Sequence, residues 1–237
     1  MKNNNFKLKK IVFLSALFVF PFLFLSAANA QTSSPAASQV FITWQAQDFT
    51  PADYQGKIIP SARTTVKLGL ELLNQNKFQD LSKANIIWYL DGNFLTSGQG
   101  LKETSFTANK LAGDYHYIRT VINLGGQEYD GTVDIPTASP EIVIKTPAMA
   151  NNSIPLGKNI FEAIPYFFNV SNLQNIIFNW MVNGQTAEGA SLGGSTLELD
   201  LEAPVPANQI LDIKVTAQNS KNELEFGSKE INLNVQK

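Results

Sequence analysis

The chain has 237 residues, no cysteine, and 18 basic against 20 acidic side chains. Without cysteine it has no disulfide, thiolate metal site, c-type haem attachment, lipid-modified cysteine or cysteine nucleophile, so packing must stabilise whatever folds. The charges are mixed rather than clustered, which excludes the basic surface that a nucleic-acid partner requires.

Residues 1–30 have the pattern of an export signal. Lys2, Lys7, Lys9 and Lys10 precede an apolar run from Ile11 to Ala27, and Ala28-Asn29-Ala30 supplies a small-residue cleavage site. The run is short for a bilayer span and carries Pro21, so cleavage is expected; an uncleaved signal, anchoring an envelope assembly, is the alternative and the only membrane contact foreseen. Setting these thirty residues aside leaves 207, with 14 basic and 20 acidic side chains and a net charge of −6. That length suits two domains of about 100 residues. The expected location is extracellular, cell-surface or periplasmic. Asn151-Asn152-Ser153 and Asn169-Val170-Ser171 fit the glycosylation sequon, as Asn-rich chains do by chance.

Residues 31–38 are small and polar, as in a flexible leader. Val40 to Trp44 then reads as a strand, and after a loop marked by Pro51, Gly56 and Pro60 so does Val66 to Leu72, with Val66, Leu68, Leu70 and Leu72 facing inward. The polar stretch from Asn74 to Lys83 is expected to hold one helical turn. Ile86-Ile87-Trp88-Tyr89-Leu90-Asp91-Gly92 follows, placing Ile86, Trp88 and Leu90 on one face and closing on a dipeptide that tolerates positive φ. Further strands are expected at Thr104–Ala108, Tyr115–Asn123 and Tyr129–Ile135, with Gly125-Gly126 as a turn.

Pro136-Thr137-Ala138-Ser139-Pro140 marks a short, stiff boundary, giving domains 39–137 and 138–237. Beyond it Glu141–Ile144 and Ile160–Val170 read as strands, the latter with Pro165 implying an edge or a bulge. Phe178-Asn179-Trp180-Met181-Val182-Asn183-Gly184 then repeats the pattern of residues 86–92. Strands at Thr196–Leu201, Ile210–Ala217, Leu224–Phe226 and Ile231–Val235 complete the second copy. Short strands at about ten-residue spacing predict an all-β chain of two tandem antiparallel β-sandwiches.

The Trp strand, its Asp-Gly turn, Gly113-Asp114-Tyr115 with the alternation after it, and Gly125-Gly126 together resemble bacterial immunoglobulin-like domains of the polycystic-kidney-disease type. In place of that family's usual Trp-x-Phe-Gly-Asp-Gly stand residues 88–92 and 180–184. The resemblance implies adhesion, spacing or assembly rather than chemistry.

The residues that could carry chemistry have simpler readings. His116, the only histidine, shares strand parity with Ile118 and Ile122, and no G-x-S-x-G elbow accompanies it, so a packed, hydrogen-bonded histidine is expected. Glu198, Asp200 and Asp212 alternate with apolar residues as the solvated face of strands. Asp91, Glu128, Asp130 and Asp134 offer oxygens for calcium, but without an Asp-x-Asp-x-Asp loop. Trp88 and Trp180 read as core residues between sheets. Trp44, Tyr54, Tyr89 and Tyr129 are the aromatics left for stacking on a carbohydrate. No catalytic residue, metal or cofactor is expected. The expected role is that of a non-catalytic structural or adhesive element of the bacterial envelope with a protein or glycan partner; the alternative is a glycan- or peptide-binding module using exposed aromatics or an edge strand.

Overall fold

The computed structural model describes residues 38–147, 152–187, 194–204 and 209–236. The signal 1–30, leader residues 31–37 and sequon residue Asn151 lie outside them.

Alternating apolar residues become strands throughout. The first half contains β1 (Gln39–Ala46), β2 (Thr65–Asn74), β3 (Lys77–Phe78), β4 (Asn85–Leu90), β5 (Asn93–Gln99), β6 (Glu103–Thr107), β7 (Tyr115–Leu124) and β8 (Gln127–Pro136). One sheet is built on β2, which pairs with β1 on one edge and with β6 and β3 on the other; the second runs β5-β4-β7-β8. The second half contains β9 (Glu141–Lys145), β10 (Ser153–Ile154), β11 (Gly157–Tyr166), β12 (Ile176–Val182), β13 (Gln185–Thr186), β14 (Thr196–Leu201), β15 (Ile210–Asn219) and β16 (Asn222–Val235). There β11 lies between β9 and β14, and the other sheet runs β13-β12-β15-β16 with β10 added in parallel to the end of β16. In strand order β1-β2-β6 matches β9-β11-β14, and β5-β4-β7-β8 matches β13-β12-β15-β16. Face-to-face antiparallel sheets in this order make the architecture all-β and immunoglobulin-like.

Each pair of sheets encloses its own core. The first joins Val66, Leu68, Leu70, Leu72 and Phe106 from one sheet to Ile86, Trp88, Ile118, Ile122 and Ile135 from the other; the second includes Ile142, Phe161 and Leu197 against Phe178, Trp180, Ile213 and Val215. Trp88 is 0% and Trp180 1% exposed. An indole brings a buried N–H that must find an acceptor. Trp88 Nε1 donates to the Leu101 carbonyl at 3.0 Å and Trp180 Nε1 to the Gly194 carbonyl at 3.2 Å, both on the chain arriving at the fifth matched strand.

The hairpin dipeptides adopt the left-handed backbone that their residue types permit. Asp91 and Gly92 have φ of 52° and 80°, and Asn183 and Gly184 of 50° and 78°, linking β4 to β5 and β12 to β13 by two-residue turns. The segment expected to hold a helical turn does not: Gln75 and Asn76, with φ of 51° and 61°, close a hairpin between β2 and β3. Asn and Gln there satisfy a turn geometry that competes with helix formation. Pro165 lies in the middle strand β11, yet β14 ends opposite Glu162, so opposite Ile142 the proline has a strand on one side only.

The connection at residues 136–140 is accompanied by a second link. In the loop between β1 and β2, Phe49 forms a β-bridge with Phe168: its N–H donates to the Phe168 carbonyl at 2.6 Å, and the Phe167 N–H donates to the Phe49 carbonyl at 2.9 Å. The Phe49 ring packs on the second core, and Tyr54 meets Tyr166 and Phe167 edge-on. Arg63 Nη1 donates to Asn222 Oδ1 at 3.1 Å, and Asn169 Nδ2, from the second sequon, donates to the Arg63 carbonyl at 3.0 Å. Two buried carboxylates organise this junction. Asp48 accepts from the Ser61 N–H and the Thr64 hydroxyl, and Glu225 from the Asn169 N–H and Asn219 Nδ2. Burial raises the Asp48 pKa, against the lowering by its hydrogen bonds from Thr64 and Ser61 and with added repulsion from Glu225.

Candidate functional site

His116 is fully buried on β7, beneath the Asp91-Gly92 turn. The Asn109 N–H donates to its Nε2 at 3.2 Å, which places the ring proton on Nδ1, where it is donated to Asp91 Oδ2 at 2.8 Å. Asp91 Oδ1 also accepts from Lys110 Nζ at 2.7 Å and from the Tyr117 N–H at 2.9 Å. Burial pushes the Asp91 pKa up, but Lys110, the Tyr117 amide and His116 together bring it below the usual carboxylate value. With both ring nitrogens occupied and the edge of Phe106 packed at 5.0 Å, the histidine is a structural clamp on the turn.

The acidic residues weighed for calcium do not converge. Asp91 is taken by the clamp, Asp130 is paired with Arg119, and Glu128 and Asp134 are separate exposed positions on β8. Among the described residues no group of three or more His, Asp or Glu side chains is placed to hold a metal. Glu198 and Asp200 are exposed on β14, whereas Asp212, expected on a solvated face, is half-buried beside the β12–β13 turn, where Asn183 Oδ1 accepts from its backbone N–H at 3.0 Å.

Three of the four aromatics left as candidates for stacking are engaged. Trp44 packs on the first core under Lys57, whose Nζ lies 3.7 Å from the ring centre. Tyr54 belongs to the junction. Tyr129 lies against the core, and its hydroxyl accepts from Asn74 Nδ2 at 3.1 Å and donates to Gln127 at 2.9 Å. Only Tyr89 remains, and it is part of a larger feature that sequence reasoning missed.

The outer face of the sheet β5-β4-β7-β8 carries Phe94, Tyr89, Tyr117 and Tyr115. Phe94 is 64%, Tyr115 59% and Tyr117 43% exposed, far above the values of rings held in a core. Strand parity builds the row: β7 sends His116, Ile118 and Thr120 inward, so Tyr115, Tyr117 and Arg119 point out. Arg119 pairs with Tyr89 across β4 and Thr132 across β8, and Tyr117 with Asp134. A β-bulge completes the row. Between Trp88 and Tyr89 the register shifts, so Tyr89 opposes Phe94 while the extra residue, Leu95, packs on the core. Phe94 and Tyr89 meet edge-to-face at 6.4 Å, and the Arg119 guanidinium lies 5.7 Å from the Tyr89 ring centre while its Nε donates to Asp130 at 2.8 Å. Phe94 and Arg119 thus brace the Tyr89 ring.

Chemically, the face offers π surfaces, tyrosine hydroxyls, a guanidinium and the carboxylates of Asp130 and Asp134. These are groups that can stack on and hydrogen-bond to a ligand. The His116 parity was the signal for Tyr115, Tyr117 and Arg119. No signal announced Phe94, because an unbulged strand would not set it beside Tyr89.

No protein-family model matches the sequence, and no curated protein matches it. Among solved structures, the chain is similar to the fibronectin(III)-like modules of Clostridium thermocellum CbhA, with a TM-score of 0.31 and 11% identity over 82% of this chain and 93% of that one. It is also similar to three N-terminal domains of the bacteriophage RB49 highly immunogenic outer capsid protein, with a TM-score of 0.33 and 10% identity over 84% and 70%. A third is a Bacteroides ovatus protein, SGBP-B of a mixed-linkage glucan utilization locus, solved with a mixed-linkage heptasaccharide, at a TM-score of 0.25 and 14% identity over 84% of this chain and 47% of that one. These likenesses concern the sandwich architecture alone.

Proposed function

We propose that the chain is an exported, non-catalytic immunoglobulin-like protein of the polycystic-kidney-disease type, acting as a structural or adhesive element of the bacterial envelope. Its two sandwiches are read as tandem domains, 39–137 and 138–237, and the outer face of β5-β4-β7-β8 as its contact surface. The observation that carries this reading is the row of pre-set, exposed rings on a scaffold whose one histidine is locked into structure. Rigid aromatics beside an arginine are the groups that supply binding energy at low entropic cost.

The absence of cysteine makes the test clean. Thr132→Cys places a photo-cross-linker on the aromatic face, and Glu230→Cys places one at the matched position of the second sandwich, since Thr132 pairs with Arg119 as Glu230 pairs with Lys214. On cells that export the protein, the first should capture an envelope macromolecule and the second should not. Equal labelling or none at both positions would refute the surface. Mass spectrometry of the native protein should find Gln31 as its first residue.

A further inference from the structure

Building on the proposed contact surface, we propose that its ligand is a neutral polysaccharide, stacked by its pyranose rings on Phe94, Tyr89 and Tyr117. Three observations select that chemistry. First, the rings are not demanded by the fold. The matched register of the second sandwich places Met181 where Tyr89 stands, Asp212 for Tyr117, Ile210 for Tyr115 and Asn179 for Ile87, and that sheet folds around the same core tryptophan. Second, the face lacks the exposed aliphatic centre of a protein interface: Ile87 is half-buried and Val121 is buried, while Ser97, Thr132 and Asp134 lie exposed around the rings. Sugars need that mixture, because their C–H faces pack on π surfaces while their hydroxyls require donors and acceptors alongside. Third, charge complementarity rules out acidic chains. Arg119, the cation among the rings, is neutralised by Asp130, Lys110 is committed to Asp91 and the Tyr115 carbonyl, and Asp134 beside Tyr117 leaves the surface negative. A polyanion would meet repulsion there.

From β5 across β4 to β7 the row spans two inter-strand steps and, because Tyr89 faces Arg119, a two-residue offset to Tyr117 along β7, about 12 Å in all, which is room for about two pyranose rings. Tyr115, two residues along β7 from Tyr117, extends the track toward the edge of the sheet.

The test is affinity electrophoresis of the full mature chain through gels cast with neutral polysaccharides (mixed-linkage β-glucan, xylan and mannan in parallel) and with alginate as the acidic counterpart. At least one neutral gel should retard the protein and alginate should not. Tyr89→Ala and Tyr117→Ala should each weaken retardation about tenfold, Tyr117→Phe should keep most of it, and Lys214→Ala, at the position matched to Arg119, should leave it unchanged. Unaltered circular dichroism and melting would show that the variants fold. The proposal is overturned if no neutral gel retards the protein, if retardation survives both alanine variants, or if only alginate acts. If cross-linking at Thr132→Cys still yields an envelope protein while every gel is silent, the contact surface stands and the carbohydrate assignment falls; if both fail, both readings fall.

Discussion

The two matched strand registers around the tryptophans carry the same interior under different exteriors. Inside, Ile86, Trp88 and Ile118 correspond to Phe178, Trp180 and Ile213, and both indoles reach a backbone carbonyl. The turn geometry is kept as well: Asp91 accepts from the Tyr117 N–H as Asn183 accepts from the Asp212 N–H, and the backbone return bond is 2.8 Å in both. What differs is the outer face, where Tyr89, Tyr117 and Tyr115 of one sandwich are replaced by Met181, Asp212 and Ile210 in the other, together with the buried His116 in place of Leu211. Residues that differ between two solutions of one packing problem are not explained by packing, and this is the ground on which the outer rings are proposed as a contact surface.

The largest test of this comparison targets what the halves share. Trp88→Ala and Trp180→Ala should each cost about 3–5 kcal/mol, read from urea unfolding monitored by circular dichroism; a loss below about 1 kcal/mol at either site would mean that the indole is not a core residue. Next comes the junction, which belongs to neither sandwich alone. Asp48→Ala leaves the Ser61 N–H without its acceptor and should destabilise by about 2–3 kcal/mol, with proteolysis in the 47–64 loop as a second readout. A smaller effect of opposite sign is expected at Thr120, whose buried hydroxyl faces no partner beside Trp88 and whose counterpart beside Trp180 is Val215. Thr120→Val should raise stability by about 1 kcal/mol; a loss instead would show the hydroxyl to be satisfied.

The smallest effect concerns acid. The folded-state pKa of Asp91 lies below its unfolded value, so its stabilisation is complete above the ordinary aspartate value of 3.8 and disappears as pH falls from there through the depressed folded pKa. Asp91→Asn, which installs the residue that the second sandwich already uses, should flatten melting temperature against pH in that window while leaving the turn intact. An unchanged acid limb would show that the clamp's charge contributes nothing.

Much of the fold was legible because its determinants are local. Alternation in 66–72, 115–123 and 210–217 fixed which side chains face inward, and Asp-Gly and Asn-Gly announced their turns by residue type. The strand Asn93–Gln99 was not legible, since Asn93, Ser97, Gly98 and Gln99 break any run of β-formers, and the strand is held by pairing with β4. The helical turn expected after Asn74 lost to a hairpin whose partner, β2, lies just before it. Of the four stacking candidates, Tyr89 lies in the row on the outer face, whereas Trp44, Tyr54 and Tyr129 are drawn into packing by Lys57, Tyr166 and Asn74, partners distant in the sequence.

The bridge between Phe49 and Phe168 has a practical corollary for anyone who cuts the gene in two. A fragment ending at Ser139 would turn the Phe49 ring out into solvent, and the complementary piece would bare Tyr166 and Phe167, the rings that Tyr54 meets. Each half would then carry a sticky apolar scar and self-associate, so the chain should be expressed whole, or recut with Phe49 and Phe167 made polar.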